Sequence, residues 1–178
     1  MARPSFVTFK NTPFWQTVAL RPDLLKQCMV LPELLEITHL AKSNKIKTVW
    51  TPITGENLFS RKLGLKDYLE CVPKLESLHD SGLVYRNFFI GGIFMHKNSR
   101  ATFWNLQHLD FLDPARGEQQ KSYDHFNLAA ACISCADIDQ QLKILDKYKQ
   151  VNDTNDPLLR LFVNTSPMHQ YTVISNKI

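Results

Sequence analysis

The chain has 178 residues, 44% hydrophobic and 21% charged, the balance of a folded globular protein long enough to bury one core without disulfide staples. Nine prolines and six glycines are scattered, which excludes a fibrous or low-complexity chain. The net charge of +4 is unevenly spread: Lys and Arg lead Asp and Glu by 14 to 8 in residues 1–100, and the acids lead by 9 to 7 in residues 101–178. A basic front half suits a polyanionic partner, although strong nucleic-acid binders are usually more basic.

The opening MARPSFVTFK has neither a long apolar run nor a cleavage site, so no signal peptide is expected. No stretch approaches the ~20 apolar residues that a membrane helix needs. The expectation is a cytoplasmic protein (nuclear in a eukaryotic host) with no membrane contact and with reduced thiols at Cys28, Cys71, Cys132 and Cys135.

Pro22 and Pro32 sit where the first turn of a helix tolerates proline, with Asp23 and Glu33 just behind them. Leu34, Leu35, Ile37, Leu40 and Ala41 follow helical spacing and predict a helix over 32–43. IKTVW (46–50), bounded by Pro52 and Gly55, predicts a strand. A short helix over 56–63 closes at Gly64. A longer one over 67–81 carries Leu69, Val72, Leu75 and Leu78 at three-residue steps and ends at Gly82. Pro73 lies inside it and predicts a kink or a late start. LVYRNFFI and IFMHK flank Gly91-Gly92, a hairpin signal, and ATFWNL adds a strand, so 83–106 reads as an antiparallel meander. DPARGEQQKS (113–122) reads as a surface loop. Residues 123–150 read as helical, with a break near Ser134–Asp139 and a stripe of Leu142, Leu145 and Tyr148. VNDTNDP is a turn into two strands, or into a helix and a strand.

The order helix, short strand, helix, helix, hairpin, carried by NLFSRKLGLKDYLECVPKLESLHDSGLVY, resembles the winged-helix superfamily of DNA-binding domains. Leu63-Gly64-Leu65 matches its turn, Leu75 and Leu78 its late core leucines, and Gly82-Leu83-Val84 its exit into the wing. The resemblance implies an α+β fold. A winged-helix-like core (about 30–110) with a small antiparallel meander would follow an N-terminal helical arm and precede a C-terminal helical and β extension. Residues 1–112 would form arm and core, and residues 113–178 an extension packed on them. The implied function is non-catalytic DNA binding without a cofactor, by a regulator or a replication or mobile-element accessory factor. A helix would enter a major groove about 12 Å wide. Arg61, Lys62, Lys66 and Lys74 would meet phosphates or base edges of double-stranded DNA, with Arg86, Lys97 and Arg100 on or beside the wing. Glu70 and Glu76 would repel phosphate on a DNA-facing side.

The alternative reading is a protein-interaction subunit that uses the same fold as a docking surface. Phe88, Phe89, Phe94, Phe103 and Trp104 crowd the meander and put apolar side chains on both faces, so a homo-oligomer or a partner protein is expected to cover one of them. Cys132-Ile-Ser-Cys135 has the inner spacing of half a zinc site or of a redox pair. With no second such pair, two cysteines on an Ala-rich helix are more often small core residues, and no metal is assigned to them. His79-Asp80, with His39 upstream, is similar to the ligands of the HD phosphohydrolases and implies a metal-dependent hydrolase as a third reading. A helix-ending His-Asp pair is more often solvated. Asp124 precedes His125, and His108 lies near Asp110, but no activated Ser or Cys and no phosphate-binding Gly-rich loop accompanies them.

Overall fold

The structure, a computed structural model, describes residues 4–26, 28–58, 62–86, 92–96, 101–104 and 106–151. Three antiparallel strands open it: β1 (Ser5–Lys10), β2 (Leu34–Leu40) and β3 (Lys45–Trp50), in the order β1-β3-β2. β3 lies where IKTVW predicts a strand, whereas β2 replaces the helix expected over 32–43. A bulge explains the difference. Leu34 pairs with Trp50, Glu36 with Val49 and Ile37 with Thr48, which leaves Leu35 as the extra residue. The bulge turns Leu34 and Ile37, three apart, toward the same inward side and leaves Leu35 exposed. A bulged strand thus imitates helical spacing.

The helix that does form here is α1 (Pro13–Leu20). The Thr12 hydroxyl accepts from the Trp15 backbone N–H at 3.4 Å, Pro13 supplies the first turn, and Phe14, Trp15 and Val18 face the core. Pro22 precedes only the single turn α2 (Asp23–Lys26). β4 (Glu56–Asn57) stands where a helix over 56–63 is expected, and residues 59–61 of that span lie outside the described ones.

α3 (Leu65–Asp80) runs unbroken past Pro73, which lies on its exposed side. The missing N–H therefore costs a hydrogen bond where water can serve the orphaned carbonyl. The Asp67 carboxylate accepts from the Gly64 N–H at 3.0 Å and starts the helix. Gly82, at φ +75°, ends it as a left-handed glycine whose N–H donates to the His79 carbonyl at 2.9 Å.

β5 (Leu83–Val84), β6 (Ile93–Met95), β7 (Ala101–Phe103) and β8 (Asp110–Phe111) follow. β6 pairs with β7 and with β4, and β5 pairs with β8. The expected pairing of IFMHK with ATFWNL forms as β6 with β7, Leu83–Val84 pair with β8, and residues 87–91, on which the Gly-Gly hairpin was expected, lie outside the described residues. Gly91, Phe88 and Phe89 lie outside the described residues. α4 (Gly117–Ser134) begins inside the stretch expected as a loop, and α5 (Ile138–Val151) follows the predicted break. Leu145 and Tyr148 are buried and Leu142 packs beside them, against the cluster that α3 and α4 also feed. The turn and strands expected after Val151 lie outside the described residues.

Aromatic rings tie the halves together. Phe9 stacks on Trp15 at 4.0 Å, Trp15 meets Trp50 edge-on at 6.4 Å, and Trp50 meets Trp104 edge-on at 6.0 Å. Phe14 adds a contact to Phe111 at 4.7 Å. The architecture is mixed, with small antiparallel sheets and a helical half, as an α+β chain requires.

Candidate functional site

Two features organise the middle of the molecule. The first is a buried carboxylate. Asp124, on α4, is fully enclosed. Its Oδ2 accepts from the Tyr85 N–H at 2.7 Å and lies 3.1 Å from His79 Nε2, and its Oδ1 accepts from the Arg86 N–H at 2.7 Å. An acid in a core is tolerated only with such a full set of donors. The result is a clamp on the chain just after β5, where Arg86 holds a left-handed φ of +59°. A non-glycine residue there is strained, and the two backbone bonds to Asp124 maintain it. The Arg86 guanidinium pairs with Asp110 at 3.0 Å. The Tyr85 hydroxyl donates to the Trp104 carbonyl at 3.0 Å, and burial first, then Asp124, push its ionisation up, so it stays a donor. The His125 ring stands edge-on to His79 at 5.5 Å. Desolvation, and then His79, lower its pKa against the opposing pull of Asp124.

The second feature is a cleft of about 820 Å³ between the β1–β3 side of the first sheet and the segment that follows β7. Phe9, Trp15 and Trp104 supply apolar lining, and Lys10, Lys45 and His108 supply cationic or titratable groups. Among the described residues no carboxylate lines it. Both lysines are exposed and, among the described residues, neither has an ion-pair partner.

Of the residues expected to touch DNA, Lys62, Lys66, Lys74 and Arg86 are among the described ones. Lys62 is exposed ahead of α3, Lys66 is exposed 3.8 Å from Glu70, Lys74 is half-buried and Arg86 is engaged with Asp110. Arg61, Lys97 and Arg100 lie outside the described residues. The exposed stripe of α3 holds Lys66, Leu69, Pro73, Glu76 and Asp80, so the face free to enter a groove carries two acids against one lysine. His79 is buried against Asp124 and not solvated, and His39 sits on β2 with its Nε2 3.3 Å from Asn11. All four cysteines are free thiols. Cys132 is fully enclosed, and burial pushes its pKa well up, the state of a core residue. Phe103 is buried, and Phe94 and Trp104 are half-buried. Among the described residues no group of three or more His, Cys, Asp or Glu is placed to hold a metal, and no helix is long and apolar enough to cross a membrane.

Solved structures place this arrangement. The PK-1 kinase of Cydia pomonella granulovirus superposes with a TM-score of 0.52 at 10% identity, over 75% of this chain and 59% of that one. The fold is protein-kinase-like. A divergent kinase of Toxoplasma, described as lacking the glycine-rich loop and regulating membrane ultrastructure of the parasitophorous vacuole, matches with a TM-score of 0.49 at 16% identity, over 86% of this chain and 56% of that one. The chain spans under two thirds of the length of either kinase. No protein-family model matches, and a search of curated proteins finds no match.

A kinase-like fold overturns the winged-helix resemblance and the DNA-binding function drawn from it. The leucines of α3 and its closing glycine are features that any buried helix ahead of a strand shares. The interaction-subunit and phosphohydrolase readings lose their footing too, since one borrowed the winged helix and the other needed His79 as a metal ligand, whereas it is buried against Asp124. The expectation of a non-catalytic protein is likewise corrected, because it was drawn from the winged helix and the structure that superposes here is described as a kinase. Asp124 escaped the sequence reading as an anchor. Its signal was an acid ahead of the apolar run LAAACI, on the side of α4 that carries Leu128. Lys10 and Lys45 were not singled out, although SFVTFK and KIKTVW alternate in the way that puts them on one outward face.

Proposed function

We propose that the chain is a divergent kinase-like domain that holds a nucleotide in the cleft lined by Phe9, Trp15, Trp104, Lys10 and Lys45, and that transfers phosphoryl groups slowly. The observation that carries this reading is the cleft itself. Its volume falls in the range of about 300–1,000 Å³ usual for small-molecule sites, and its lining sets the half-buried Trp104, backed by the buried Phe9–Trp15 stack, beside two lysines. An indole ring suits a purine base and lysines suit phosphates.

The slow transfer follows from residue chemistry. In protein kinases an Asp after an Arg in the catalytic loop accepts the proton of the substrate hydroxyl, and a second Asp and an Asn hold Mg²⁺. Here the run past β5 is Tyr85-Arg86-Asn87, and neither a His-Arg-Asp nor an Asp-Phe-Gly triplet occurs in the 178 residues. Asn87 follows the residue whose backbone Asp124 fixes, and an amide takes up no proton at neutral pH. The donor set of the cleft does not fit Mg²⁺ either, since a hard dication needs carboxylate or carbonyl oxygens and the charged groups lining the cleft are lysines. No step is assigned to that ion.

Calorimetry with ATP and adenosine, beside a phosphoryl-transfer assay, tests the reading. Both ligands bind, and transfer runs below the 1–100 s⁻¹ of typical kinases, at about 1 s⁻¹ or less. Failure of both ligands to bind overturns the proposal.

A further inference from the structure

We propose that Lys10 and Lys45 form a clamp that captures the phosphate tail of the nucleotide without a divalent metal. The clamp rests on the nucleotide reading of the cleft and specifies how its charge is met.

The argument starts from register. Lys10 and Lys45 are Cα partners in the antiparallel β1–β3 ladder. Directly opposed residues of such a pair share a face, with Cβ atoms about 4.5–5.5 Å apart, and like charges there repel. The strands do not part to relieve this. The Asn11 side-chain amide donates to the Asn44 side-chain Oδ1 at 2.7 Å and ties the residue after Lys10 to the residue before Lys45. The Thr12 N–H donates to the Lys10 carbonyl at 2.9 Å and closes the turn into α1. Asn44 itself holds a left-handed φ of +49° to bring β3 in at that point. Two lysines are thus pinned side by side at the end of a sheet, without a carboxylate partner among the described residues, and both line the same cleft.

Gln107 and His108 line the cleft as well, with their Nε2 atoms 3.0 Å apart, and the two lysines supply its charge. A group that satisfies the lysines brings acceptor oxygens and negative charge. Phosphate oxygens provide both, and a bridging anion turns the Lys10–Lys45 repulsion into two charge-assisted hydrogen bonds. A metal already bound to those oxygens would compete with the lysines for them.

Calorimetry on the full chain tests this with four probes: ATP in excess chelator, ATP with Mg²⁺, adenosine, and inorganic tripolyphosphate in chelator. ATP in chelator binds about tenfold or more tighter than adenosine, tripolyphosphate competes with it, and Mg²⁺ weakens it. Lys45→Met lowers the affinity for metal-free ATP about tenfold. Lys47→Met, one outward position along β3 and over the Phe6 ring, keeps it within about twofold because that lysine does not line the cleft. A thermal melt of each variant verifies folding. Equal affinity for ATP and adenosine in chelator, or ATP binding that requires Mg²⁺, overturns the clamp and leaves the cleft reading standing. Absence of binding by adenosine and ATP alike removes both.

Discussion

The two halves of the molecule handle charge in opposite ways. In the helical half, Asp124 is sealed from water and every oxygen has a donor: two backbone N–H groups and a buried histidine. On the first sheet, Lys10 and Lys45 stand opposed and exposed, with no counter-charge among the described residues. The buried charge is an internal fastener that fixes the turn after β5. The exposed pair sets its charges against the stability of its own sheet. A fold keeps a group of the first kind because losing it is costly. It gains from a group of the second kind only when something outside the chain meets it.

This contrast breaks most sharply at Asp124. Asp124→Ala strands the Tyr85 and Arg86 N–H groups and the His79 ring in a dry core, and costs about 3–5 kcal/mol in urea unfolding. Asp124→Asn keeps one carbonyl acceptor and costs less. An alanine variant that loses under about 1 kcal/mol means that the turn after β5 is held by something other than this carboxylate.

The network also has a pH signature. The pKa of His125 is lower in the folded chain than its ordinary 6.5, so the unfolded chain binds its proton first as pH falls. Its contribution to stability is complete above pH 6.5 and is lost as pH drops from there through the depressed folded value. His125→Gln flattens that acid-side slope. Melting temperatures of both proteins across pH 7.5 to 5, in half-unit steps, report the difference, and parallel curves would sink the assignment to His125.

Much of the helical half was legible in the sequence, and much of the sheet half was not. The leucines of α3, the glycine that ends it and the break between α4 and α5 follow local spacing, which periodicity reads directly. β2 was misread because a bulge at Leu35 disguised its period. The kinase-like arrangement was hidden for a different reason. Its strands are short: β6 and β7 answer to the IFMHK and ATFWNL runs of the expected meander, but β5 with β8 joins two-residue strands far apart in the chain, too short to show a period at all. Asp124 serves backbone groups 38 and 39 positions away, and no side-chain motif announces a partnership with N–H groups. The outward lysines were readable from alternation, but their opposition depends on a register that only the folded ladder sets.

The smallest predicted effect is the one that distinguishes the two kinds of charge most cleanly. Lys45→Met removes one member of the opposed pair at an exposed strand position. Repulsion across the ladder falls, while the aliphatic stem that covers the sheet is largely kept. In the ligand-free protein at low ionic strength this raises stability by about 0.2–0.5 kcal/mol, the reverse of the sign at Asp124. Added salt screens the repulsion in the parent chain and narrows the gap. Saturating metal-free ATP reverses the order, because only the parent then gains from the bound anion. A variant that is less stable than the parent in every one of these conditions means that Lys45 serves the sheet through its packing, and the contrast between the two halves collapses to one of burial alone.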